Sequence, residues 1–408
     1  MRNIGIGKAS VLVRNFRIAD RLPTTNVRWV PNVRWVPNVR WVPNVRWVPN
    51  VRWVPNVRWV IVSLLFAFAQ FRMILLILGA AYRNSIDAAL GVVQGQPHWR
   101  VFQSRVLSPW IIKGLSILTG GFPLAHIFFV IAMTALAGWL MLSLTDRCFG
   151  RRAAWGAFFL FHLLFCLLLA PPWLYAWDHA SIILFTLFTY FVLTGKDWRW
   201  FAVLFSVAIF NRESGLYIAL WMIADPLVKA VLDRARPQWA MLVAGLVCFG
   251  SGLVLLNMLR DLLLVKEVGP ALFNMPEMAG RNFQNNFVMN VNFIKNFFEN
   301  INFYFNMLIP CLMICILCLS FILSVRDFRR YFSLALVQVA SVVSILVFGV
   351  ISETRVLLES IPFLAMGIWV LFPEAEKGTS RTNRRRPFPL VKSAGFTDSA
   401  DSMDRTVS

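Results

Sequence analysis

Nine polar side chains lie close to long apolar runs: Asp87, Arg100, Arg105, Asp178, His179, Arg212, Glu213, Glu353 and Arg355. A carboxylate within hydrogen-bond reach of an attacking hydroxyl can take its proton. An arginine can hold two oxygens of a phosphate through its planar fork. The densest group stands in "IFNRESGLYIAL", which carries Asn211, Arg212 and Glu213. The apolar stretch before it has about a dozen residues, or ~18 Å of helix. That is too short to cross a hydrocarbon core of ~30 Å. The three residues are therefore expected below the membrane surface, where two short helices meet. Ionisable groups at that depth are costly unless they face one another or a watery cavity, and an enclosed polar cavity is expected. Two alternatives stay open: an Arg212–Glu213 pair that only joins helices, or one bent span across residues 199–231.

The other candidates stand at similar positions. Asp178 and His179 open a helix in "YAWDHASIILF", where an aspartate serves equally well as an N-terminal cap. "ISETRVLLESIPFLAMG" places Glu353, Arg355 and Glu359 at another helix start. Arg355 and Glu359 are four residues apart and could form a local pair. The segment after the first span carries Asp87, then "WRVFQSRVLSPW" with Arg100 and Arg105. Its apolar piece Val106–Leu118 is too short to span, so it should lie in the interface or re-enter.

What must position these residues is a bundle of spans. The chain has 408 residues, 58% of them hydrophobic, and a mean hydropathy of +0.64. Soluble domains are nearer 45–50% apolar, and the apolar residues here come in runs long enough to cross a bilayer. An all-α, polytopic membrane protein is expected, with about ten spans near 61–82, 122–144, 153–170, 179–195, 199–211, 214–231, 239–259, 303–325, 331–350 and 356–372. The basic links "DRCFGRR", "GKDWR", "KAVLDRARPQ" and "RDFRR" then share one side with the basic tail. The positive-inside rule makes that side, and both termini, cytoplasmic. The candidate residues all fall on the other side.

The net charge of +20 is concentrated in basic segments flanking spans, which point to anionic membrane lipids rather than nucleic acid. Cys311, Cys315 and Cys318 share one helix face and are expected to pack. Four histidines are too few and too dispersed for a metal cluster, so no metal and no cofactor are expected. "RNFQNNFVMNVNFIKNFFENINFYFN" has an apolar period through Phe287, Val291, Ile294, Phe298, Ile301 and Phe305. That is an amphipathic helix, expected on a membrane surface or lining the way in for a lipid chain.

The motifs "SRVLSPW", "YAWDH", "NRESG" and "SETRVLLESIPFL" form a spaced series over residues 61–372. The series resembles a large group of bacterial multi-pass membrane proteins, similar in layout to the C-type (GT-C) glycosyltransferases. The resemblance implies a sugar donor carried on a polyprenyl phosphate, chemistry at the outer face, and a place in the bacterial cytoplasmic membrane. It implies Asp87 as base, Arg105, Arg212 and Arg355 on the donor phosphate, and Asp178 and Glu213 on acceptor or sugar hydroxyls. Asn211, His179 and Glu353 would support them. A transporter or lipid flippase, and a non-catalytic scaffold of an envelope-synthesis complex, are the alternatives.

Residues 1–60 and 373–408 read as cytoplasmic basic segments outside the transmembrane domain at 61–372. The first holds five copies of "NVRWVP" and a partial sixth. Proline every sixth residue forbids a helix there, and identity to the last residue points to tandem duplication rather than a folding constraint. Deletion of residues 26–55 is expected to leave insertion, topology and activity unchanged. A reporter fused to the C-terminal tail checks this, and its appearance on the opposite face would contradict it.

Overall fold

The computed structural model describes residues 57–95, 100–169, 174–234, 236–263, 286–292, 303–349 and 354–372. The repeat up to Asn56, Glu353, the tail from residue 373 and the side chain of Arg100 lie outside the described part. Among the described residues every regular element is helical. The chain runs through α1 (Val57–Leu78), α2 (Tyr82–Gln94), α3 (Leu107–Thr119), α4 (Phe122–Phe149) and α5 (Arg151–Leu167). It continues through α6 (Ala176–Thr194), α7 (Trp198–Asn211), α8 (Leu216–Asp233) and α9 (Trp239–Leu263). The last helices are α10 (Phe303–Arg326), α11 (Phe328–Phe348) and α12 (Ile361–Gly367).

Among the described residues, seven helical stretches are long and apolar enough to cross a membrane: Val57–Gln94, Phe122–Phe149, Ala176–Thr194, Glu213–Leu232, Trp239–Leu263, Ile309–Arg326 and Phe328–Phe348. The protein is therefore a multi-pass membrane protein. Three of the ten expected spans fall on shorter elements. α5 has 17 residues and α7 has 14, and the run from Thr354 to Leu371 is divided into two 3-10 turns flanking α12.

The sequence turns the chain sharply where the fold needs it. Gly195, at φ +62°, ends α6, a backbone state that costs glycine little. Two residues later the Asp197 carboxylate accepts from the Arg199 N–H and caps α7. Asp327 does the same for α11 by accepting from Arg330. At this end of the bundle Arg330 donates to the Leu193 carbonyl and Arg326 to that of Leu371 at 2.9 Å. Arg147, Lys196 and Arg330 all lie within electrostatic range of Cys148, so basic turns from three parts of the chain share one end.

α7 and α8 form a tight hairpin, not one bent span. Phe201 near the start of α7 stacks on Trp221 in α8, with ring centroids 4.2 Å apart, as antiparallel arms require. Between the arms, Arg212 is extended and Glu213–Gly215 make a single 3-10 turn. Small residues permit the close approaches that membrane helices rely on in place of a hydrophobic driving force. A Cβ on Gly215 would stand 2.9 Å from the backbone of Ala208 and Ile209. Gly245 and Gly252 of α9 similarly admit Ile223 of α8 and Phe205 of α7.

Cys311, Cys315 and Cys318 do share one face of α10, but that face is exposed. The expectation that they pack in the core is corrected: the buried side of α10 is lined by Leu312, Met313, Ile316 and Leu319.

Gly215→Ala should destabilise the fold by roughly 1–3 kcal/mol, since backbone cannot yield to an added methyl as a side-chain tip can. Gly250→Ala, whose Cβ would meet nothing within 4 Å, should be tolerated. Thermal unfolding of both variants in mild detergent tests the contrast.

Candidate functional site

The polar site is assembled at the end of the bundle away from the basic turns. It is built around Asp178, in the first turn of α6. One of its oxygens, Oδ2, accepts from the Tyr175 N–H at 2.9 Å, so the capping role is real. The other, Oδ1, takes the Arg212 guanidinium at 3.2 Å and has that of Arg355 at 3.7 Å. Cap and ion pair are thus served by different oxygens of one side chain, which is fully buried.

Arg212, in the linker of the α7–α8 hairpin, also meets Glu359 Oε1 at 3.3 Å. The Ser214 hydroxyl donates to the same oxygen at 2.6 Å. Glu359 therefore reaches across to the hairpin, and the expected local pair with Arg355 is replaced by this longer connection. Arg355 lies instead over the ring of Tyr175, 4.6 Å from its centroid.

Glu213 points away from its neighbour Arg212 and binds Arg105. The pair is two-pronged, with Nη2 at 2.6 Å from Oε1 and Nε at 3.3 Å from Oε2. Arg105 is 4% exposed. Its guanidinium lies 4.9 Å from the centroid of Phe102 and 5.3 Å from that of Trp177, where the ring quadrupoles favour a cation. The Arg212–Glu213 pair left open as an alternative does not form; each residue joins a different partner.

Asn211 explains why these segments converge. It is fully buried and donates to the Trp177 carbonyl at 2.9 Å and to Ser181 Oγ at 3.0 Å. Its own oxygen accepts from Ser108 at 2.9 Å. One amide thus ties the end of α7 to the starts of α6 and α3. The short α3 begins at this knot, while Ile117 and Leu118 at its far end are exposed.

The remaining candidates sit elsewhere or outside the described residues. Asp87, on α2, pairs with Arg83 on its own helix at 3.7 Å and stays partly exposed. Its neighbours Ala88 and Val92 pack against the Phe102–Tyr175–Trp177 wall behind the arginines. His179 turns to Thr134 at 3.1 Å and to the ring of Phe165, so it belongs to the packing of α4, α5 and α6. Glu353 lies outside the described residues.

Two participants were not singled out as site residues from sequence. Glu359 was seen only as a local partner. Arg260, near the end of α9, is 4% exposed and within electrostatic range of Glu213. Its signal was a lone arginine inside the apolar "VLLNMLRDLLL".

The site brings Arg105, Arg212, Arg260 and Arg355 together with Asp178, Glu213 and Glu359. Among the described residues, Arg105 Nη1 and Arg260 Nε are buried and meet no hydrogen-bond partner. Buried N–H groups of charged side chains are expensive to leave open, so the site is chemically ready for an anion. Among the described residues, no group of three or more His, Cys, Asp or Glu side chains could hold a metal ion.

Arg212→Ala would take the nearest cation from buried Glu359 and leave Asp178 with the more distant Arg355, at a cost of about 3–5 kcal/mol. Arg83→Ala removes only a solvated pair and should cost less than about 1 kcal/mol. Chemical denaturation of the two variants in detergent separates these outcomes. The chain matches no protein family, no curated protein and no solved structure, so the site's chemistry must be argued from its own residues.

Proposed function

We propose that this protein is a membrane glycosyltransferase of C-type (GT-C) layout. It moves a sugar from a polyprenyl-phosphate donor to an envelope or lipid acceptor at the outer face of the bacterial cytoplasmic membrane. In this reading the chain crosses ten times, with the shorter α5, α7 and 354–371 segments as passes and both termini cytoplasmic. The observation that carries the proposal is a gathering of guanidinium groups at one end of the bundle, where Arg105 and Arg260 each keep a buried N–H that meets no hydrogen-bond partner among the described residues.

The residues then take distinct parts. Arg105, Arg212 and Arg355 hold the donor phosphate, with Arg260 beside them. The acceptor hydroxyl attacks the anomeric carbon, and the bond from that carbon to the phosphate oxygen breaks. The electron pair leaves with the phosphate, where fixed cations are most effective against developing charge. The hydroxyl proton passes to a carboxylate. Asp87 and Glu213 are the two accessible ones, with side chains 36% and 35% exposed. Glu213 is held by Arg105 in a two-pronged ion pair, which leaves it to orient hydroxyls and Asp87 to take the proton. Asp178 has both oxygens engaged and acts by positioning Arg212 and Arg355.

A lipid-linked donor also suits the surroundings. A shallow apolar groove is lined by Phe205, Gly252, Leu255 and Met258, and α9 carries it toward Arg260.

Purified protein in lipid nanodiscs, supplied with labelled polyprenyl-phosphate sugars and membrane extract as acceptor, should release the lipid phosphate and label the acceptor. Asp87→Asn should lower the rate at least ~100-fold, the scale of a lost proton acceptor, and Glu213→Gln should lower it less, through poorer placement of the hydroxyls. Wild-type protein that moves labelled lipid across vesicles without cleaving it would overturn the proposal in favour of a flippase.

A further inference from the structure

Of the apolar-periodic stretch, the segment 286–292, "NFVMNVN", is described, while Ile294, Phe298 and Ile301 lie outside the described residues. Two of its three asparagines are turned in and its apolar residues out. Asn286 and Asn290 are buried, while Val288 is 69% exposed and Met289 and Val291 are exposed beside it.

The reason lies at the end of α11. The last four carbonyls of a helix have no partner within it, and at the membrane boundary such groups need donors. Here the donors come from the neighbouring segment. The two hydrogens of the Asn290 side-chain amide go to Leu346 O at 2.9 Å and Gly349 O at 2.8 Å, with Ile345 O within 3.3 Å; the Ile345 carbonyl itself takes the Gly349 N–H at 2.9 Å. Asn286 donates through its backbone N–H to Val347 O at 2.8 Å and through its side chain to Phe348 O at 3.0 Å. All four terminal carbonyls, 345 to 348, are met.

This clamp fixes the depth of the segment. α11 is long and apolar enough to span, so its C-terminal carbonyls stand at the edge of the hydrocarbon. Leu336, Val339 and Val343 form an exposed apolar stripe on α11, and the segment 286–292 is hydrogen-bonded to the end of the same helix. The stretch carries no charged residue.

We propose that residues 286–292 are an interfacial anchor, with Val288, Met289 and Val291 inserted at the headgroup–acyl boundary of the leaflet beside the ion-pair site. Surface-lying elements of this kind bury their apolar side ~5–10 Å into that boundary. The anchor also sets the level of the site. Ser344, one residue before the clamped carbonyls, hydrogen-bonds the Tyr217 hydroxyl, and Tyr217 follows the Glu213–Gly215 turn. The arginines are thereby held at the depth of lipid phosphates, whether or not the protein transfers sugar.

An environment-sensitive fluorescent amino acid at Val288 tests this in vesicles of phosphatidylcholine and phosphatidylglycerol. Quenching should be strongest from a doxyl group near the lipid headgroup, weaker from one near the chain end, and weak from aqueous iodide. Dominant iodide quenching, or dominant quenching from the chain end, would overturn the proposal. Asn290→Ala should shift the same probe toward iodide, while a probe at Val339 keeps its deep quenching and reports that α11 is still inserted. An unchanged Val288 probe in that variant would show that the carbonyl clamp does not hold the segment. If Asn290→Ala fails to fold, Asn286→Ala gives the same reading.

Discussion

A guanidinium buried among apolar helices has to be met by carboxylates, and Arg212 is met by two that come from distant parts of the chain. Asp178 belongs to the start of α6 and Glu359 to the 3-10 turn before α12, while Arg212 itself links α7 to α8. Removing water from these groups is costly, and only the pairing offsets it. The three segments therefore have to come together or not fold at all. Arg105, Glu213 and Arg355 then add to a cluster whose electrostatic terms already constrain its shape.

Much of this could be read from the sequence, because short apolar arms beside charged residues leave few places for the charges to go. "IFNRESG" called for a turn between two short helices, and α7 and α8 form that hairpin. Arg105, Asp178, Arg212, Glu213 and Arg355, expected to gather from the spacing of the apolar runs, meet in one cluster. What could not be read was who pairs with whom. Adjacent Arg212 and Glu213 suggested a pair, yet an extended residue followed by a 3-10 turn sends their side chains to different neighbours. Arg355 and Glu359 at helical spacing suggested another, yet Glu359 is drawn to the hairpin. Helical periodicity reports which residues share a face; it does not say which way that face points. That is why the cysteines of α10 turned outward and the asparagines at 286 and 290 turned inward.

Asn211 illustrates a different limit. Its value lies in donating twice and accepting once across three helices, and no local pattern announces such a role. The same holds for Arg260, whose place beside Glu213 depends on where α9 ends relative to the segment carrying Arg105. Both residues are intelligible once neighbours are known, since each satisfies or supplies buried polarity where the fold concentrates it.

The charged residues of the site share one further property. Arg105 follows a 3-10 turn and precedes α3, Arg212 is extended between two helices, and Glu213, Arg355 and Glu359 lie in 3-10 turns. Only Asp178 and Arg260 stand within α-helices that are long enough to span. The walls of the site are thus turns and 3-10 segments, while its supports are α-helices. Widening it to admit a bulky headgroup would exchange one set of ion pairs for another, and every long helix would keep its backbone hydrogen bonds throughout. The barrier to opening is then electrostatic, and an arriving anion would itself lower it.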